Sequence, residues 1–177
     1  MIKALAVFAI VSVTSLSQAF MLRDAGTTFR CNVPKGWEIE SRGNHAVAFN
    51  YPRSKAIGKG ALPAKGAELT FELYDLNDAA RSLGALRSTL RLIRVGGDKT
   101  PTEIRSFFDA SKDYHLYEMK SIRRREPGTA IEIMAFILEY RTAMVIATVY
   151  ADDLADTDEI SRAVNRLLRE ASVSREE

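Results

Sequence analysis

The stretch that decides the fold is A-I-E-I-M-A-F-I-L-E at residues 130–139, followed after Tyr140-Arg141-Thr142 by A-M-V-I-A-T-V-Y-A at residues 143–151. Each run is apolar at nearly every position and rich in β-branched residues. A strand sends alternate side chains to opposite faces, so a run that is apolar on both parities must have both faces out of water. The short polar turn between the runs makes them an antiparallel pair inside a sheet covered on both sides. The rest of the chain has to supply the flanking strands and the covering layers.

Working outward, Tyr114 to Arg124 reads as a further strand, closed by Glu126-Pro127-Gly128. Before it, Thr100-Pro101-Thr102-Glu103 combines an N-cap residue, a proline at the first helical position and a glutamate three residues on. With Ile104, Phe107 and Phe108 following, the pattern predicts a short helix over Thr102 to Ser111. Leu76, Ala79, Leu83, Leu86, Leu90 and Ile93 step by three and four, which predicts one face of a longer helix stopped at Gly96-Gly97. Period-two alternation marks four earlier strands. These are Thr27 to Val33 before Pro34-Lys35-Gly36, a short return strand opened by Trp37 and Ile39, Asn44 to Tyr51, and Glu68 to Tyr74. After the central pair, Asp156 to Glu159 repeats the capping-box pattern, and Ile160, Val164, Leu167, Leu168 and Ala171 form the apolar face of a terminal helix. The expected order is β-β-β-β-α-α-β-β-β-α. It packs as an α/β/α sandwich of α+β type, a mainly antiparallel sheet with helices on both faces.

The composition is that of a folded globular chain: 177 residues, 46% hydrophobic and 27% charged, which excludes collagen-like, low-complexity and disordered classes. A formal charge of +2 does not imply a polyanionic partner. Residues 1–19 read as a signal peptide. Lys3 gives a positive start, Ala4 to Val13 are apolar, and Ser17-Gln18-Ala19 places small residues at the last and third-last positions, so cleavage is expected after Ala19. The apolar run is about half of the ~20 residues a spanning helix needs. Residues 20–26 and 173–177 are expected to be flexible ends around a single domain at 27–172. Cys31 is the only cysteine, which rules out a disulfide scaffold, and its parity with Phe29 and Val33 predicts a buried, inert thiol.

Phe29 to Trp37, F-R-C-N-V-P-K-G-W, resembles the F-x-x-x-x-P-x-G-W opening of the PsbP-like superfamily, including the bacterial periplasmic DcrB-like proteins. Val47-Ala48-Phe49 ahead of Pro52, the late apolar strand pair and the terminal helix extend the resemblance over most of residues 27–172. The resemblance implies an α/β/α sandwich and a binding, assembly or chaperone-like role, and it does not imply catalysis. The photosystem role of one branch is not carried over, because the leader is a plain secretory one.

The residues show no constellation for turnover. His45 and His115 lack a nucleophile motif, and no zinc spacing, EF-hand loop or phosphate-cradling glycine pattern is present. The acids Asp152, Asp153, Asp156, Asp158 and Glu159 fit the start of a helix better than a metal site. No cofactor is expected. The strongest signal outside the core is basic. Arg42, Arg53, Lys55, Lys59 and Lys65 occur with no acid between Arg42 and Lys65, and the loop at 52–66 carries four of them. Arg87, Arg91 and Arg94 flank the helix stripe, and Lys120 and Arg123-Arg124-Arg125 form a third group. With Trp37 beside the Pro-Lys-Gly corner, these residues are the candidate binding set, although solvated loops and core packing of the tryptophan account for them too. The expected partner is an envelope protein or an anionic membrane surface, and nucleic acid is not expected for an exported chain. A small-ligand carrier, or an enzyme with a site near His115, Tyr114 and Tyr117, stands as the alternative.

Overall fold

The computed structural model describes residues 18–52, 62–96, 103–125, 129–152 and 154–175. The two apolar runs form β8 (Thr129–Tyr140) and β9 (Ala143–Asp152), paired antiparallel with Ala135 opposite Thr148. They lie inside a seven-stranded antiparallel sheet. Its other members are β3 (Glu38–Arg42), β4 (His45–Phe49), β5 (Ala67–Asp75), β6 (Glu103–Asp109) and β7 (Tyr114–Arg125), in the order β3-β4-β5-β9-β8-β7-β6. Both faces of the central pair are buried, as their patterning requires. Met134, Phe136, Leu138, Val145, Ala147 and Val149 face one core, while Ile133, Ala135, Ile137, Met144 and Ile146 face the other.

The sheet consists of two meanders. β3, β4 and β5 form one, and β6 to β9 form the other, returning to pair with β5. Helix α1 (Ala79–Gly96) connects them, crossing one face of the sheet from β5 to the far edge. Ile93 is buried there against Met119, Ile133 and Ile137. The opposite face is covered by α2 (Thr157–Glu170) and by a small three-stranded sheet of β1 (Ala19–Asp24), β2 (Thr27–Asn32) and β10 (Ser172–Arg175), with β2 in the middle. Phe20, Phe29 and Phe71 join the two sheets, the rings of Phe20 and Phe71 lying 4.8 Å apart. The fold is therefore mixed α+β, sheet-dominated and antiparallel, with one helix on each face.

Four details differ from the sequence reading. Residues 103–109 form the edge strand β6 and not a helix, pairing with β7 so that Phe107 lies opposite Leu116 and Phe108 opposite His115. The i, i+3, i+4 spacing of Ile104, Phe107 and Phe108 is equally served by an edge strand with an aromatic on each face, and pairing to β7 outweighs local helix signals. Residues 20–24 are not a flexible end. Phe20 and Leu22 alternate inward, and Ala25 and Gly26, both at positive φ (45° and 80°), make the two-residue hairpin turn to β2. Residues 173–175 likewise continue β10, whose Val173 packs on the core. Finally, α1 buries only part of its leucine stripe, with Leu86, Leu90 and Ile93 packed on the core. Leu83 is 50% exposed, whereas Ser82 and Thr89 are buried with their hydroxyls bonded to the Asp78 and Ala85 carbonyls. Those internal bonds make their burial tolerable.

The phenylalanine contact between the sheets is the point to test. Phe71→Ala removes the fully buried ring that β5 contributes to that contact. We expect a loss of about 3–5 kcal/mol in urea unfolding, with the native circular dichroism retained at low denaturant.

Candidate binding site beside helix α2

The sequence places a helix start at Asp156, and the structure shows how it works. The Asp156 carboxylate accepts the Glu159 backbone N–H at 2.9 Å, and Asp158 and Glu159 occupy the positive first turn. Ile160, Ser161, Val164 and Leu168 are buried toward the sheet. The remaining sides of α2 form the walls of two clefts.

The first cleft, of about 570 Å³, opens between α2, the corner after β2 and the residues before β5. Its apolar lining includes Val33, Pro34, Trp37, Ile160, Ala163 and Leu167. Lys35, Lys65 and Arg166 supply cations around it, and Asp156, Glu159 and Glu170 supply acids. Trp37 is held by the corner that the sequence announces. Its backbone N–H donates to the Pro34 carbonyl at 3.1 Å, and Gly36 takes φ 83°, a backbone conformation that strains side-chain-bearing residues. Trp37 is half-buried, one side on the core and the other on the cleft. The Lys65 backbone is fixed too. Its N–H donates to Asp152 Oδ1 at 2.9 Å, and its carbonyl accepts Asn50 Nδ2 at 3.1 Å.

The structure thus brings together Trp37 and Lys65 of the candidate set. Arg42 does not join them, since it ends β3 while Trp37 precedes that strand, about 16 Å away along an extended chain. Arg53, Lys55 and Lys59 lie outside the described residues. Arg87 and Arg91 are exposed on α1 across the sheet, and Lys120 Nζ donates to Asp158 Oδ1 at 3.1 Å. Sequence reading missed Lys35, Ala163 and Arg166. Only the packing of α2 against the corner assigns them to one cleft, and the cue available was the basic spacing on the polar side of that helix.

The other candidates have their own surroundings. His115 stacks on Phe108, centroids 4.5 Å apart, and lies parallel to Tyr117 on the exposed sheet face. His45 Nδ1 is 3.8 Å from Glu72 at the surface. Asp152 bonds the Lys65 and Leu154 backbones, so with Asp156 and Asp158 three of the late acids have structural partners. Among the described residues no group of three His, Cys, Asp or Glu side chains is placed to hold a metal ion. Cys31 is buried and free, its thiol directed at the Asn32 and Leu167 carbonyls. Burial pushes that thiol up to about 12.

No protein-family model matches the chain, and no curated protein matches it by sequence. Among solved structures, the chain is similar to the crystal structure of LpqN, described as involved in cell envelope biogenesis of Mycobacterium tuberculosis. The match has a TM-score of 0.52 at 15% identity and covers 89% of this chain and 91% of that one. At that identity the likeness is one of fold. Among the described residues, no helix is long and apolar enough to cross a membrane.

Burial of Cys31 has a consequence for stability. Its folded pKa lies above the ordinary thiol value of 9.0, so above pH 9 the unfolded chain loses a proton that the native chain keeps, and stability falls as pH rises toward 12. Tyr74 acts in the same direction, raised to about 12 mainly by burial and also by Glu72. We expect the urea midpoint to drop between pH 8 and pH 10.5, with a shallower drop in Cys31→Ala. Native Cys31 should also resist iodoacetamide at pH 8 and react once the chain is unfolded.

Proposed function

We propose that this protein is an exported accessory or assembly factor of the cell envelope that works by binding, and that the Trp37 cleft is its contact site. The observation that carries this reading is the make-up of the cleft. An apolar lining of Val33, Pro34, Trp37, Ile160 and Leu167 is bordered by Lys35, Lys65 and Arg166, and Leu154 stands 63% exposed beside it. Such a site accommodates an apolar group and orients it by a few charged contacts. Lys65 is also one of the basic residues of the stretch 52–66, and its place beside the cleft supports a partner with an acidic surface or an anionic membrane surface. The envelope role described for LpqN supports the setting, and the leader-like residues 1–19 support export with cleavage after Ala19. Membership of the PsbP-like, DcrB-like group is part of the same proposal. It rests on the Phe29 to Trp37 motif, whose proline and glycine form the corner that presents the tryptophan.

A small-ligand carrier is a second reading of the same cleft, favoured by its volume of about 570 Å³, within the usual range for small-molecule sites. Trp37 is the sole tryptophan, so its emission reports directly on the cleft. Titration with detergent-solubilised material from the protein's own envelope should shift that emission to the blue. Ala163→Phe, which fills the cleft from the half-buried side of α2, should abolish the shift while leaving the far-ultraviolet circular dichroism unchanged. Emission that stays constant in the wild type, or an equal shift in Ala163→Phe, would remove the cleft from the proposal.

A further inference from the structure

On its other side α2 borders a second groove, of about 650 Å³, between the helix and the β6 edge of the large sheet. Arg162, Arg166 and Arg169 recur at steps of four and three, so they share one stripe along about 10 Å of helix axis. Facing them from β6 is Arg105, directly opposite Glu118 and therefore on the same side of the sheet. Phe107, two residues further on, lies under the Arg169 guanidinium, 4.0 Å from ring centroid to Cζ. Stacking holds a guanidinium by its face and leaves its in-plane N–H donors for an oxyanion.

Four guanidiniums line this groove against two carboxylates, Glu118 and Glu170. Glu118 is buried at the base with both oxygens occupied, one by Ser161 Oγ at 2.5 Å and the other by Asn165 Nδ2 at 2.9 Å. At the N-terminal end of the stripe the chain supplies an anion of its own. Asp158 is bonded to Lys120, and Lys120, Arg162 and Arg105 together hold its carboxyl below the usual carboxylate range. One carboxylate is shared among three cations there, and further along the stripe Arg166 and Arg169 continue the cationic lining.

We propose that this groove is a binding site for phosphate groups, taking a ligand that carries two or more phosphates or phosphodiesters spaced along α2. A carboxylate is satisfied by one guanidinium fork. A tetrahedral phosphate presents oxygens in several directions, which suits donors arriving from a helix on one side and a strand on the other. A row of three arginines with a fourth across it matches successive phosphates rather than a single anion. The same chemistry is offered by a free polyphosphate and by phosphodiester headgroups of a membrane. The site shares Arg166 and Glu170 with the Trp37 cleft but otherwise has its own lining, and it does not depend on that cleft being functional.

Calorimetric titration of the protein with inorganic tripolyphosphate at low ionic strength tests the proposal. Saturable binding is expected, weakened by salt and reduced about tenfold in each of Arg162→Gln and Arg169→Gln. Arg105→Gln should weaken it as well, whereas Arg30→Gln, on the exposed side of β2, should leave it unchanged. Ala163→Phe blocks only the other cleft and should retain full affinity, which separates failure of this site from failure of the Trp37 reading. Flotation with vesicles of phosphatidylglycerol and phosphatidylcholine in equal parts distinguishes the sources. Flotation competed by tripolyphosphate indicates headgroups, and tripolyphosphate binding without flotation indicates a soluble phosphate chain. Absence of saturable binding at low salt, or equal affinity in a folded Arg162→Gln/Arg166→Gln/Arg169→Gln variant, would overturn the proposal.

Discussion

The rest of the structure depends on the burial of β8 and β9 on both faces. Phe136 is fully buried on one side, and its neighbours Ala135 and Ile137 are buried on the other. Backbone pairing satisfies the polar groups of these strands, but their apolar side chains are stable only if both faces are covered. That requirement accounts for the long crossover of α1 on one face, and on the other for the joint cover of α2 and the three-stranded sheet. A single helix is about 10 Å wide, so α2 alone would leave the part of this face that carries Phe71 uncovered. The phenylalanines of β1 and β2 complete the layer against Phe71.

Helix α2 consequently has two jobs. Ile160, Val164 and Leu168 anchor it to the core, and the Ser161 and Asn165 bonds to buried Glu118 set its position over β7. Its remaining sides wall the two clefts, and Arg166 and Glu170 line both. A surface built on a helix so fixed keeps its side chains close to one geometry. The two clefts differ in chemistry because their opposite walls differ. One is the apolar corner with Trp37, and the other is a sheet edge with Arg105 and Phe107.

Much of this was legible in the residues. The apolar runs at 130–139 and 143–151 announced a doubly covered antiparallel pair, the Asp156 capping pattern announced α2, and the parity of Phe29, Cys31 and Val33 announced the inner face of β2. What escaped has a common cause. β1 and β10 are short, and each is stable only through pairing with β2, to which no local pattern points. At β6 a genuine local helix signal lost to long-range pairing. At α1 the leucine stripe located the core face through Leu86, Leu90 and Ile93 but not its edge at Leu83, because a serine and a threonine that bond their own helix backbone can be buried at little cost. Of the candidate set, the Pro-Lys-Gly-Trp corner was legible as a feature, and its neighbours in the cleft were not.

By itself, the sequence determined the class of fold, since periodicity of two or 3.6 and apolarity on one or both faces are properties of consecutive residues. It also determined the buried state of Cys31, the start of α2 and the turn that presents Trp37. Only the tertiary structure decided which distant residues share a site. Lys35, Lys65 and Arg166, or Arg105 and Arg169, come together through the order of strands in the sheet and the side of it on which α2 lies. Both are set by the packing of whole elements against one another, and no local spacing in the chain encodes them.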